Sequence, residues 1–324
     1  MNAKKKNSNI KDKAMISLGD IQAAAQRIKP YVRRTPLLAA DQIKSPITQG
    51  ILSLKLECLQ VSGSFKARGA ANRVMSLPSD VRAHGLVAAS GGNHGLAVAR
   101  CGFIAKVPAT IFLPQSVAAE KVAKMQAWGA KTVIGGADFD HCNTLANDLA
   151  MKDKAIYVHP FADPFVVAGQ GTVALEILED RPETETVIIA AGGGGFVTGA
   201  GTAIKALNSN IKVVVVEPYG SPTLHDSAAA GEVVTLSEIK SAIPTMSCRR
   251  TDEKLFAQLS KVVDEYVLIE DDHMAQAAQW LWFEMGIAAD PAGAAAVAAL
   301  LSGAYKPQAG EKITVTVCGA GLPS

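Results

Sequence analysis

Lys66 stands in the stretch Ser62-Gly63-Ser64-Phe65-Lys66-Ala67-Arg68-Gly69-Ala70, at the predicted start of a helix. Most lysines are solvated surface charges. A lysine at a helix start differs, because the positive end of the helix dipole lowers the pKa of its amine. Phe65 and Gly63 give Lys66 an apolar and sterically open setting. An amine of lowered pKa can act as a Schiff-base nucleophile and as a general base near neutral pH. The second feature is Ala191-Gly192-Gly193-Gly194-Gly195-Phe196. Its glycines remove every Cβ from the turn, so successive N–H groups can converge on one anion. The helix predicted from Val197 onward adds its dipole. A structural turn usually needs one glycine, so the run favours an anion cradle over a merely tight turn. No G-x-G-x-x-G spacing passes through these glycines, and the chain has no Gly-Lys dipeptide. The dinucleotide fingerprint and the Walker A loop are therefore both absent.

These features need elements that bring them together. Short β-branched runs at 51–56, 85–89, 110–113, 131–134, 186–190, 212–217 and 312–317 predict strands. Between them lie alanine-rich helical stretches at 65–75, 94–102, 118–128, 167–179, 197–207, 273–284 and 292–301. Such alternation predicts an α/β fold with a doubly wound parallel sheet. Val187 to Ala190 and Val213 to Val216 are apolar without alternation, the pattern of strands covered on both faces. No low-complexity linker divides the chain, so a second domain must be inserted into the first. The expectation is a large domain from 1–84 and 158–324, with a small mobile α/β domain at 85–157. Ligands in such sheets bind beyond the carboxyl ends of strands. The cradle follows a predicted strand, as do Ala89-Ser90-Gly91-Gly92-Asn93-His94-Gly95 and Val317-Cys318-Gly319-Ala320-Gly321.

Composition excludes several classes of function. The 324 residues carry a net charge of +2 and 5% aromatics, which argues against a nucleic-acid binder. Hydrophobic residues at 48% and charged residues at 19% describe a globular chain. Cys58, Cys101, Cys142, Cys248 and Cys318 are scattered, odd in number and without a CxxC pair. That suggests neither a zinc cage nor a disulfide framework, and fits a cytoplasmic setting. Lysines at 4, 5, 6, 11 and 13 precede no apolar h-region, so the N-terminus reads as a solvated tail and not as a signal. The charge-free stretch Val187 to Ile204 has the length of a membrane span, but its glycines break a continuous helix.

A reactive lysine and a phosphate cradle in one chain suggest pyridoxal phosphate. The motifs then become specific. The order Lys29-Pro30 to Arg34-Thr35-Pro36-Leu37, Lys55-Leu56-Glu57, Ser64-Phe65-Lys66, Ser90 to Gly95, Ala168-Gly169-Gln170-Gly171-Thr172, Gly192 to Gly195, Val216-Glu217-Pro218 and Cys318-Gly319 runs through nearly the whole chain. In this the chain resembles the fold-type II pyridoxal-phosphate enzymes, with their tryptophan-synthase β-like fold. It is most similar to the branch of serine/threonine dehydratases and serine racemases. The resemblance implies that Lys66 carries the cofactor as a Schiff base and moves the Cα proton. It implies that Asn93 holds the cofactor 3′-oxygen, that Gly192, Gly193, Gly194, Gly195 and Phe196 bind the phosphate, and that Phe65 packs near the ring. Ser90, Gly91, Asn93 and His94 would receive the substrate carboxylate. Cys318 would face the pyridine nitrogen as a weak neutral donor, which leaves the ring a weaker electron sink and favours β-elimination over transamination. The implied activity is dehydration and deamination of L-threonine or L-serine to a 2-oxo acid and ammonia, in a homodimer acting on a small-molecule substrate. A 3-hydroxyaspartate dehydratase or serine racemase on the same scaffold is the alternative. A non-catalytic pyridoxal-phosphate-binding regulatory protein is a third reading, and it has no need of Lys66.

Departures from the pattern sharpen these expectations. Relatives with a divalent cation carry a second carboxylate six residues after the glutamate, where this chain has Thr223 after Glu217. One carboxylate suits a hard cation poorly, so no metal is expected, with Asp226 the possible substitute. Ile243-Pro244-Thr245-Met246 replaces the family's Ile-Ala-Asp-Gly. Arg249 and Arg250 follow, as a solvated pair or as a clamp for a second substrate carboxylate. Phe161 stands where some racemases carry asparagine. A racemase needs acid–base groups on both faces of its carbanion, and Gly91 stands where the similar racemases place a serine. Six residues follow Cys318, so no C-terminal sensory domain is expected.

Overall fold

A computed structural model describes residues 14–321; the predicted tail lies outside them as far as Lys13. The strands are β1 (Leu37–Ala39), β2 (Ile51–Leu56), β3 (Leu86–Ala89), β4 (Ala109–Pro114), β5 (Lys131–Gly136), β6 (Ile156–Tyr157), β7 (Thr186–Ala190), β8 (Lys212–Pro218), β9 (Glu265–Ile269) and β10 (Lys312–Val317). The helices are α1 (Leu18–Ile28), α2 (Lys66–Met75), α3 (Ser79–Arg82), α4 (Asn93–Ala105), α5 (Ala119–Ala127), α6 (Phe139–Asp153), α7 (Pro164–Asp180), α8 (Gly195–Leu207), α9 (Thr223–Ala230), α10 (Glu253–Leu259), α11 (Asp271–Met285) and α12 (Pro291–Leu301). Local chemistry sets several starts. The Asp163 carboxylate caps α7 ahead of Pro164, and Asp290 caps α12 ahead of Pro291. Side-chain acceptors satisfy first-turn amides, and proline at the first position loses no bond.

Two sheets form. The larger has the order β1-β2-β10-β7-β8-β9 and the smaller β5-β4-β3-β6. Only β1 runs antiparallel, against β2. Val315 of β10 registers with Leu54 of β2 and Ile188 of β7, and Ile188 with Val214 of β8. All of Val187 to Ala190 and Val213 to Val216 are buried, as their unalternating pattern predicts for parallel strands. The stretch from Val187 to Ile204 is strand, glycine turn and helix. No helix of the described residues is long and apolar enough to cross a membrane.

The small sheet takes its strands from 86–157, but its core also takes Ile28, Ala70, Ala71, Val74 and Val166. Helix α2, which begins with Lys66, thus buries one face against that sheet. Its other contacts run to α7, where the Ala168 to Thr172 motif has a packing role. A Cβ on Gly169 would come within 2.7 Å of Arg68 O and of Gly69 Cα. One on Gly171 would come within 2.7 Å of Gly199 O on α8. Helix α7 therefore touches the backbone of both the Lys66 helix and the cradle helix.

The structure also adds elements absent from the sequence reading. Helix α6 was missed because its buried face is Cys142, Ala146 and Ala150, a stripe too small to show as amphipathic. Strands β1 and β6 are short edges, and β9 is only half buried.

Candidate active site

The loops after β2, β3, β7 and β10 converge. After β2 the chain turns through Ser62, at φ +63°, and Gly63, at φ +84°. This turn is stitched to the loop after β10: Ala320 N donates to Gly63 O at 2.8 Å and Phe65 N to Cys318 O at 3.3 Å. Lys66 then opens α2, and its Nζ donates to Pro160 O at 2.7 Å. Burial pushes the amine down from 10.5 to about 8. The leading cause is therefore desolvation and not the helix end invoked from the sequence. No carboxylate acts on the amine.

Gly194, at φ +92°, precedes α8, and Gly195 and Phe196 open it. Among the described residues, no hydrogen bond engages the amides from Gly192 to Val197. Six successive free donors at a helix start fit a phosphate. The glycines also answer to packing. A Cβ on Gly193 would lie 2.4 Å from the Phe161 ring, and one on Gly195 lies 2.5 Å from Phe161 O. Close approach and anion binding thus require the same residues. Phe65 stacks on Phe196 with centroids 4.3 Å apart, tying the lysine loop to the cradle.

The loop after β3 opens α4. Its first amides, Asn93, His94 and Gly95, are likewise free of partners among the described residues, a setting for a carboxylate. Gly92 N donates to Ser90 Oγ at 3.1 Å, so that hydroxyl holds its own loop. A Cβ on Gly91 would face Pro114 and Val117, at 3.2 and 3.3 Å. The Asn93 amide nitrogen lies against Gly319, 2.8 Å from where a Cβ would stand. His94 is turned away: its Nε2 lies 2.8 Å from Val158 O and its Nδ1 is buried without a partner. Burial, reinforced by Lys66, pushes this imidazole down to about 3. It carries no positive charge toward a substrate; what its position offers is the backbone amide.

Cys318 is buried, with its Sγ 3.5 Å from Thr316 Oγ1. Burial pushes the thiol up to about 12, so it stays neutral. Glu217 is buried too, and its carboxylate accepts from Leu224 N at 2.9 and 3.1 Å and from His225 N at 2.8 Å. Thr223 donates to Cys248 O. Asp226 pairs with His225. These oxygens are committed to the start of α9 and do not fit a cation cage. Arg249 donates to Ser237 O, and Arg250 to Thr235 Oγ1 and Glu253. Both arginines are exposed and tied to their own surface, so the solvated reading holds and the substrate-clamp reading does not.

The structure adds one contribution from a stretch the sequence marks, Thr245 and Met246, and two that it does not, Arg68 and His159. Thr245 Cγ2 lies 3.0 Å from where Gly92 would carry a Cβ, and the backbone of Met246 lies 3.3 Å from the Cβ position of Gly192, so this loop walls both glycine turns. Arg68 is fully buried against Glu57, at 2.8 and 2.9 Å, and Glu176, at 2.6 and 2.9 Å. His159 anchors the turn that receives Lys66. The first two depend on residues far apart in the chain, whereas the bonds of His159 are to the two amides just after it.

The loop that carries an amine of lowered pKa thus touches both a six-amide anion cradle and the loop of a neutral thiol. The chain belongs to the pyridoxal-phosphate-dependent enzymes, whose family model matches residues 28–319. Its fold is that of the fold-type II members. It is 36% identical over 308 residues to the L-threonine ammonia-lyase of Thermotoga maritima, covering 95% of this chain and 76% of that protein. A catabolic L-threonine dehydratase of Staphylococcus aureus is 35% identical over 289 residues, covering 89% and 84%. Among solved structures, maize serine racemase superposes with a TM-score of 0.90 at 30% identity, covering 95% of this chain and 94% of that one. Threonine deaminase isoform 2 of Solanum lycopersicum gives 0.88 at 31%, covering 94% and 88%.

Proposed function

We propose that this protein is an ammonia-lyase that converts L-threonine or L-serine to the 2-oxo acid and ammonia. The observation that carries the reading is Lys66, whose amine donates to Pro160 O in the turn that packs on the free-amide glycine cradle. Pyridoxal phosphate, when bound, draws electron density from the Cα–H bond of the substrate. The amides from Gly192 to Val197 would hold its phosphate, and Asn93, Phe65 and the neutral thiol of Cys318 would line the space for its ring. The amides of Asn93 to Gly95 hold the substrate carboxylate, with Ser90 and Gly91 shaping the loop. Lys66 Nζ then takes the Cα proton, and a pKa of about 8 suits that exchange near neutral pH. The β-hydroxyl leaves as water, the proton lost from Cα balancing it, and the enamine left behind tautomerises to an imine that water hydrolyses to ammonia and the 2-oxo acid. The threonine ammonia-lyase and dehydratase relatives support this substrate class.

Racemisation is not favoured. Gly91 supplies no hydroxyl, and its Cβ direction faces Pro114 and Val117. The protein is taken to work as a homodimer in the cytoplasm, a reducing setting supported by its five free cysteines. The test is a 2-oxo-acid assay across L- and D-serine, L- and D-threonine and the 3-hydroxyaspartates. Product from L-threonine or L-serine is expected. Product from the 3-hydroxyaspartates alone would overturn the substrate assignment, and none from any of them would overturn the activity.

A further inference from the structure

His159 lies between β6 and α7, in the segment that crosses from the small sheet to the cradle. Its Nδ1 accepts from Ala162 N at 2.8 Å and Phe161 N at 3.2 Å. A ring nitrogen that accepts carries no proton, so the hydrogen of the neutral ring sits on Nε2. Burial, together with the Lys66 charge, pushes the imidazole down to about 4, which keeps Nδ1 an acceptor at working pH. The ring stands edge-on to Phe161, at 4.6 Å and 87°, and to Tyr157, at 6.0 Å and 82°. One imidazole therefore closes the turn Pro160-Phe161-Ala162.

That turn makes two contacts with the site. Pro160 O accepts from Lys66 Nζ at 2.7 Å. The ring and backbone of Phe161 occupy the space that side chains on Gly193 and Gly195 would fill. We propose that His159 is a positioning residue, whose Nδ1 holds the turn so that Pro160 O receives the Lys66 amine and Phe161 seats on the phosphate-binding glycines. The inference rests on the reading of Lys66 and the glycine turn as the cofactor site. It does not depend on which amino acid is the substrate.

Three substitutions separate the two ring nitrogens. Asparagine places an acceptor oxygen near the position of Nδ1, glutamine places its amide near Nε2, and leucine keeps bulk without either. The first readout is spectroscopic titration of the cofactor-free protein with pyridoxal phosphate, which requires no turnover. Two partly buried amides left unpaired weaken the site by about 10-fold or more. His159→Leu and His159→Gln should lose that much cofactor affinity, and His159→Asn should stay within about 3-fold of the parent by keeping the acceptor. The second readout is steady-state formation of 2-oxo acid. The turn holds the Lys66 amine and not the substrate carboxylate, so kcat should fall in the leucine and glutamine variants more than KM rises. Parent-like cofactor affinity in His159→Leu would overturn the proposal. Retention by glutamine with loss in asparagine would do so too, by showing that Nε2–H acts directly. Equal loss in all three would show that the ring and not its acceptor matters. If the leucine variant does not fold, the glutamine–asparagine pair decides. Failure of every substrate would leave the cofactor titration intact and strike only the proposed activity.

Discussion

Replacing Lys66 by methionine should make the cofactor-free protein more stable at neutral pH, and the advantage should vanish in alkali. The folded amine titrates at about 8 against 10.5 in its ordinary state. The unfolded chain therefore binds the proton more tightly, and protonation favours unfolding. Above pH 10.5 both states are neutral and Lys66 costs nothing. As pH falls from 10.5 to 8 the unfolded chain takes the proton first, and the cost grows. Below pH 8 both states are protonated and the cost is constant. The gap of about 2.5 pH units, at about 1.4 kcal/mol each, sets it at about 3 kcal/mol. The residue as a whole is only partly buried, yet its Nζ is enclosed against Pro160 O. Methionine fills similar space without charge but leaves that carbonyl without its donor, an offset of about 1 kcal/mol at every pH. The net gain near pH 7 is about 2 kcal/mol, or about 3 °C in melting midpoint for a chain of this size. Denaturant unfolding of both proteins at pH 7, 8, 9 and 10 measures the difference, in which other titrations cancel. A difference that stays flat between pH 7 and 10, or a parent that is the more stable at pH 7, would refute the placement of a desolvated amine at Lys66.

Three further outcomes are expected. Activity should survive exhaustive chelation, because the Glu217 oxygens are taken by Leu224 N and His225 N and position 223 is threonine; inactivation reversed by Mg²⁺ would contradict this. Arg68→Met should cost about 3–5 kcal/mol in denaturant unfolding, since it strands the buried carboxylate of Glu57 and removes a partner from Glu176; a loss below about 1 kcal/mol would mean the network is dispensable. Residual L-serine recovered during turnover should remain L by chiral analysis, and Gly91→Ser should not change this, because a side chain there is aimed at Pro114 and Val117; racemisation at a rate comparable with ammonia release would refute the argument.

The parts of the site that were legible in the sequence are those whose geometry is local. A run of glycines at a strand–helix junction exposes its amides whatever packs around it, and a lysine at a helix start follows from a few neighbouring residues. Buried parallel strands announce themselves through unalternating Val213 to Val216, so the fold class and the edge that carries the loops were readable. Pairings across long stretches of chain were not. The Phe65–Phe196 stack joins residues of two different loops, the Arg68 cluster draws on β2 and α7, and the turn after His159 meets Lys66 only through Pro160 O, 94 residues away. His94 shows the difference within one residue. Its place at the start of α4 is local, but Val158, brought up by β6, decides that its ring faces away from the cleft. The same division holds for Lys66. Its position came from the chain, while the lowered pKa came from desolvation, a property of everything packed around the amine and so of the tertiary structure alone.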